Sequence, residues 1–153
     1  MTLPGEHAAI AKVERSFQNA GLLAPTGLNL IRVFTGPDGA THLDDVHYSM
    51  AKTKHGLIAE NVQVSEIALY TSDGAHADPP FEVAPCRQLV IPLAGTAEVE
   101  ASDGSRRVLE VGSIMLTEDT TGKGHRIRTL AGPRLLLVAP LLDKKRAPSG
   151  LLW

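Results

Sequence analysis

Residues 96–111 read TAEVEASDGSRRVLEV. Ala97, Val99 and Ala101 alternate with Glu98, Glu100 and Ser102, so an extended chain presents one apolar face and one wet face. Asp103-Gly104 follows, and glycine accepts the positive φ that a tight hairpin turn needs. A β-hairpin is expected, and its surroundings repeat the pattern. Short β-rich runs occupy residues 28–34, 42–50, 62–70, 87–93, 97–101, 107–111, 113–117, 125–129 and 134–139. Gly, Asp and Pro punctuate them, as in GPDG at 36–39, SDG at 72–74 and AG at 131–132. Many short strands with such turns predict an all-β sandwich or barrel. No second helical pattern competes, which argues against a parallel βαβ architecture.

Before the strands, residues 6–20 carry Ile10, Val13 and Phe17 on one stripe at helical spacing, and Gly21 follows where a helix would stop. The expected organisation is a helical extension over 1–24, a β-barrel over 25–142 and a tail over 143–153. The longest loop is read at 71–85, where three prolines resist regular structure.

The chain has 153 residues, 43% of them hydrophobic and 21% charged, with a formal charge of -2. That suits one globular domain and gives no basic stripe for nucleic acid. Cys86 is the single cysteine, so an intrachain disulfide framework and a multi-cysteine zinc site are excluded. The apolar run at 135–142 contains Pro140 and is too short to span a bilayer, and the N-terminus lacks the pattern of a secretory signal. A soluble, cytoplasmic protein without membrane or nucleic-acid partners is expected.

Two stretches together resemble the cupin superfamily. In QLVIPLAG, 88–95, Gln88 and Gly95 keep the spacing between the acidic ligand and the glycine of the first cupin motif, with an amide replacing the carboxylate. In VGSIMLTEDTTGKGH, 111–125, Gly122 to His125 keeps the glycine-to-histidine step of the second motif. The linker from Gly112 is two residues longer than usual, and Thr129 stands where asparagine is common. The resemblance implies a cupin-type double-stranded β-helix, that is, a jelly-roll barrel, preceded by the short N-terminal helix. It also implies inward ligand positions at Gln88 and His125, with Gly122 and Gly124 as a flexible approach.

The resemblance further implies a divalent metal ion. The motif's histidine pair, however, would fall at Phe81 and Val83 or at Glu82 and Ala84, and none of these is histidine. The candidate ligands are therefore His125, Gln88, Glu82 and, upstream, His76. His125 and Gln88 are also the candidate catalytic residues, because imidazole titrates near neutrality and can exchange protons. No organic cofactor is indicated.

Other constellations read more weakly. In THLDDVHY, 41–48, His42 and Asp44 face one way on a strand while Asp45 and His47 face the other, so one metal could not collect them. TTGKGH lacks the glycine and the Ser/Thr that a phosphate-binding loop requires around its Gly-Lys step. Cys86 has no adjacent base to make it a nucleophile. Glu118 and Asp119 read either as acid/base groups at a pocket mouth or, for Asp119 and Thr120, as caps of a turn.

The function expected from these readings is small-molecule binding in an apolar pocket lined by Val90, Val99 and Ile127. Catalysis would be of the isomerase, cyclase or lyase type; the alternative is a metal-free, non-catalytic ligand-binding or sensor module. Leu151, Leu152 and Trp153, with the N-terminal helix, suggest contacts in a homodimer.

Overall fold

The computed structural model describes residues 23–24, 27–73 and 78–142. All regular structure among them is β. β2 (Gly27–Thr35) and β3 (Thr41–Ser49) pair along their whole length, from Gly27↔Ser49 to Thr35↔Thr41. The GPDG turn joins them, with Gly39 N donating to Gly36 O at 3.0 Å. β1 (Leu23–Ala24) adds to β2 at Leu28 and Gly27. The sequence pattern fixed this geometry: Val33 and Leu30 are buried on opposite faces of a strand packed on both sides.

The hairpin at 96–111 forms as its alternation requires. The end of β7 (Gln88–Ala101) pairs with β8 (Arg106–Leu109), from Ala97↔Leu109 to Glu100↔Arg106. Ala97, Val99, Ala101 and Leu109 are buried to within 1% exposure. The beginning of β7 pairs with β9 (Met115–Thr117), and β9 runs parallel to β2. β10 (His125–Pro140) pairs along β7 and, on its other edge, with β6 (Ala68–Ser72). These eight strands make one mixed sheet in the order β1-β2-β9-β7-β10-β6, with β3 on β2 and β8 on β7.

The sheet curls. Its strand path leads from the first residues of β7 through β9 and β2 to β3. Thr41, at the start of β3, then meets the far end of β7: its N–H donates to Ser102 Oγ at 2.8 Å, and its carbonyl accepts from Asp103 N at 3.2 Å. The curl encloses a core of Val33, Val90, Ala97, Val99, Leu109, Met115, Leu136 and Val138. The sheet does not close into a barrel, because β6 is an edge strand whose Leu69 and Tyr70 are 63% and 59% exposed.

Three strand expectations change. The runs at 87–93 and 97–101 are one strand, as are those at 125–129 and 134–139. The expected breaks become register shifts between Thr129 and Leu136. Gly95 makes this feasible: its φ is +75°, and a Cβ there would lie 2.8 Å from the Arg134 Cα. The run at 62–70 is strand only from Ala68, with Val64 making an isolated bridge to Leu141. A small hairpin, β4 (Ala51–Thr53) with β5 (Gly56–Ile58), was not legible, because AKTKHGLI lacks apolar alternation. The expected helix at 6–20 and the tail at 143–153 lie outside the described residues. No helix among the described residues is long and apolar enough to cross a membrane.

Candidate functional site

The segment TEDTTGKGH, 117–125, is fixed along its length. Glu118 N donates to Val33 O at 2.7 Å, extending the pairing of β9 with β2. Thr35 Oγ1 donates to Thr121 O at 2.7 Å, and Lys123 N to Gly39 O at 3.1 Å. His125 and Glu82 exchange reciprocal backbone bonds of 3.0 and 2.8 Å. The two glycines of this approach, Gly122 and Gly124, take specific conformations. Both sit at left-handed φ, +83° and +82°, and a Cβ on Gly124 would lie 2.3 Å from the Glu82 carbonyl carbon. Glycine is required here for close backbone approach.

This packing delivers His125 to Asp119. The imidazole Nδ1 lies 2.6 Å from Asp119 Oδ2, with the two side chains 12% and 0% exposed. Thr41 Oγ1 stands 3.5 Å from the same oxygen, and Asp119 Oδ1 is buried with no hydrogen-bond partner. Asp119 therefore does not act as an exposed turn cap: it continues the inward phase of Met115 and Thr117, both buried. A buried carboxylate must be hydrogen-bonded or charge-paired, and His125 is its nearest partner. Glu118 takes the opposite phase, where Arg32 Nε and Arg87 Nε donate to it at 2.7 and 3.0 Å. Its carboxylate is thus committed to two guanidinium groups.

The other sequence candidates do not gather around the imidazole. Gln88 pairs with Thr117 at the start of β7, half-buried, and its Oε1 accepts a weak bond from the Cys86 thiol at 3.9 Å. Glu82 meets His125 through its backbone and is itself exposed. His76 lies outside the described residues. No group of three His, Cys, Asp or Glu side chains suited to a metal occurs among the described residues. One imidazole bound to a carboxylate, one carboxamide and one exposed glutamate form a poor donor set for a divalent ion. Among the described residues, the candidate ligands are not gathered into a metal site.

The histidines of THLDDVHY spread apart as their strand phase dictates. His42 is held by Asp38 and Asp103 at 3.0 and 2.8 Å, while Asp45 pairs with Arg107 at 2.8 Å. The hydrogen bond from His42 holds the Asp38 carboxyl below its ordinary pKa, and Asp38 raises that of His42. The face of the hairpin expected to be wet is covered instead: Glu98 is half-buried and Glu100 only 6% exposed, because Arg106, Arg126 and Arg128 lie over them. The Arg126 hydrogen bond is the largest influence holding Glu100 below its ordinary pKa. Asp78 adds a further carboxylate to Arg126 and Arg128, so this surface is an internally paired network.

Val90 and Val99 do not line a pocket. They are 3% and 0% exposed within the core, and Ile127 packs against it. The described cavities lie elsewhere: one of about 120 Å³ between Leu28, Leu30, Tyr48, Leu89 and Ile114, and one of about 400 Å³ beside it at Tyr48–Ala51 and Ile58–Glu60. Compared with protein-family models and with curated proteins, the chain matches none.

Proposed function

We propose that the chain is a cupin-type jelly roll that binds a small carbonyl compound and transfers protons through His125, without a metal. The observation that carries this reading is the 2.6 Å contact of His125 Nδ1 with the fully buried Asp119. A carboxylate on Nδ1 holds the proton there and leaves the Nε2 lone pair to act as a base. Among the described residues nothing hydrogen-bonds to Nε2, and the side chain retains 12% exposure. Asp119 is the positioning residue, since it fixes the ring and acts only through it.

The step is abstraction of a proton from carbon next to a carbonyl. The C–H bond breaks, its electron pair enters the enolate and the proton passes to Nε2. Return of that proton to another carbon gives isomerisation, loss of a β-substituent gives elimination, and attack on a second carbonyl gives cyclisation. The three expected reaction types thus share one first step and need no oxidant.

The test is solvent exchange in D2O with a panel of 2-oxo acids and 1,3-dicarbonyl compounds, followed by proton NMR. The chain is expected to exchange α-protons of a panel member above the buffer rate. His125→Gln should lower that rate by roughly 100-fold or more, in the range of general-base catalysis. Asp119→Asn should lower it less while leaving ligand affinity intact. Absence of exchange across the panel, or exchange unchanged in His125→Gln, would overturn the reading in favour of a non-catalytic binding module.

A further inference from the structure

Arg134 occupies a place where an arginine is costly. In the regular β10–β6 ladder, Arg134 pairs with Ser72, Leu136 with Tyr70 and Val138 with Ala68. Side chains two residues apart share a face, so Arg134 lies in phase with Leu136 and Val138, which are 7% and 8% exposed in the core. The close approach of Gly95 brings the β7 backbone against the Arg134 Cα. Its Nη1 is buried without a hydrogen-bond partner, and it enters no ion pair among the described residues. Desolvation alone pushes its pKa below the ordinary arginine value. The other two half-buried arginines on β10 contrast with it: Arg126 and Arg128 are each met by carboxylates.

The surroundings define what would complete it. β6 is the open edge of the sheet, so the face shared by Arg134, Ser72 and Tyr70 is reached from solvent there. Tyr70 is diagonal to Arg134 in the ladder and 59% exposed, within reach of a long side chain. The neighbours Ser72, Tyr70 and Leu136 bring no second cation. We propose that Arg134 is a binding site for the carboxylate of a small organic acid, with Tyr70 against its apolar body. The planar guanidinium matches a carboxylate's two oxygens. One positive charge balances one carboxylate, whereas a phosphate dianion would keep an unbalanced charge in an apolar setting. This site stands apart from the His125–Asp119 pair and does not depend on the chemistry proposed there.

The test uses benzoate as the probe, with benzamide and inorganic phosphate as controls, in an NMR titration of the full chain. Benzoate is expected to bind about tenfold or more tighter than benzamide, with shifts at Tyr70, Ser72 and Val138, and phosphate to bind more weakly than benzoate. Arg134→Gln should reduce benzoate to the benzamide affinity, and Arg134→Lys should fall between. Without ligand, Arg134→Met should raise Tm by roughly 3 °C, because a half-buried cation with no ion-pair partner among the described residues is replaced by an apolar chain of similar length. Benzoate affinity unchanged in Arg134→Gln, phosphate binding as tightly as benzoate, or a lower Tm in Arg134→Met would each overturn the assignment. His125→Gln should bind benzoate as the parent chain does, so failure of proton exchange and failure of this site read out separately.

Discussion

Replacing Gly124 by alanine tests how the site is built. The φ of +82° is left-handed, which costs a non-glycine residue about 1–2 kcal/mol. The added methyl would sit 2.3 and 2.4 Å from the Glu82 carbonyl carbon and oxygen and 2.7 Å from Val83 N. These are backbone atoms and cannot rotate away. Overpacking of this kind costs about 1–3 kcal/mol more. Relief requires the 82–84 segment to move, and that segment makes the two His125–Glu82 bonds and the 3.0 Å bond from Ala84 N to Asp119 O. The total expected loss is about 2–5 kcal/mol. Gly104→Ala is the control, since its φ is +91° but no atom lies within 4 Å of the added carbon. It should lose only the conformational part, about 1–2 kcal/mol. Urea unfolding of both variants, with unchanged m-values, measures the difference. Equal losses would refute the claim that close approach, rather than backbone conformation alone, demands glycine before His125.

Asp119→Ala removes the partner of His125 Nδ1 and should cost about 1–3 kcal/mol in the same urea experiment. Leu109→Ala opens a cavity at a fully buried core position and should cost about 2–5 kcal/mol. His42 has a raised pKa, caused first by its hydrogen bond to Asp38, so its stabilising contribution is complete below 6.5 and is lost as pH rises through the folded value. Asp38 runs the other way, its contribution present above 3.8 and lost as pH falls through its lowered value. Tm of the parent chain should therefore fall relative to His42→Gln as pH is raised from 6.5, and parallel profiles would contradict the pairing.

The parts of the fold legible in sequence are those set by local chemistry. Alternation at 97–101 and the Asp103-Gly104 turn specify the hairpin without reference to the rest of the chain. The continuity of β7 and β10 is different. AG at 131–132 and Gly95 carry ordinary turn signals, and only their mutual approach converts two turns into a shared bend in paired strands. His125 faces inward because it pairs with the fully buried Ala101 of β7, a pairing 24 residues away in sequence, and its partner Asp119 is no easier to read. DTTG at 119–122 has the composition of a turn, and composition alone gave Asp119 the wrong place. Extending the phase of Met115 and Thr117 by two residues would have put the carboxylate inside.

The same phase argument applies to Arg134, two residues before Leu136. In both cases a charged residue falls in step with a buried face: Asp119 two residues past the run read at 113–117, Arg134 as the first residue of the run read at 134–139. A charge in such a position is destabilising unless a partner meets it. Asp119 has one, because Gly122 and Gly124 let the chain return closely enough to bring His125 beside it. Arg134 has none among the described residues, and the open β6 edge lies next to it. Partner supplied by the fold in one place and left to a ligand in the other is the distinction that the Arg134→Met and Asp119→Ala stabilities separate. The first should rise and the second should fall, although both remove a charge in phase with the core face.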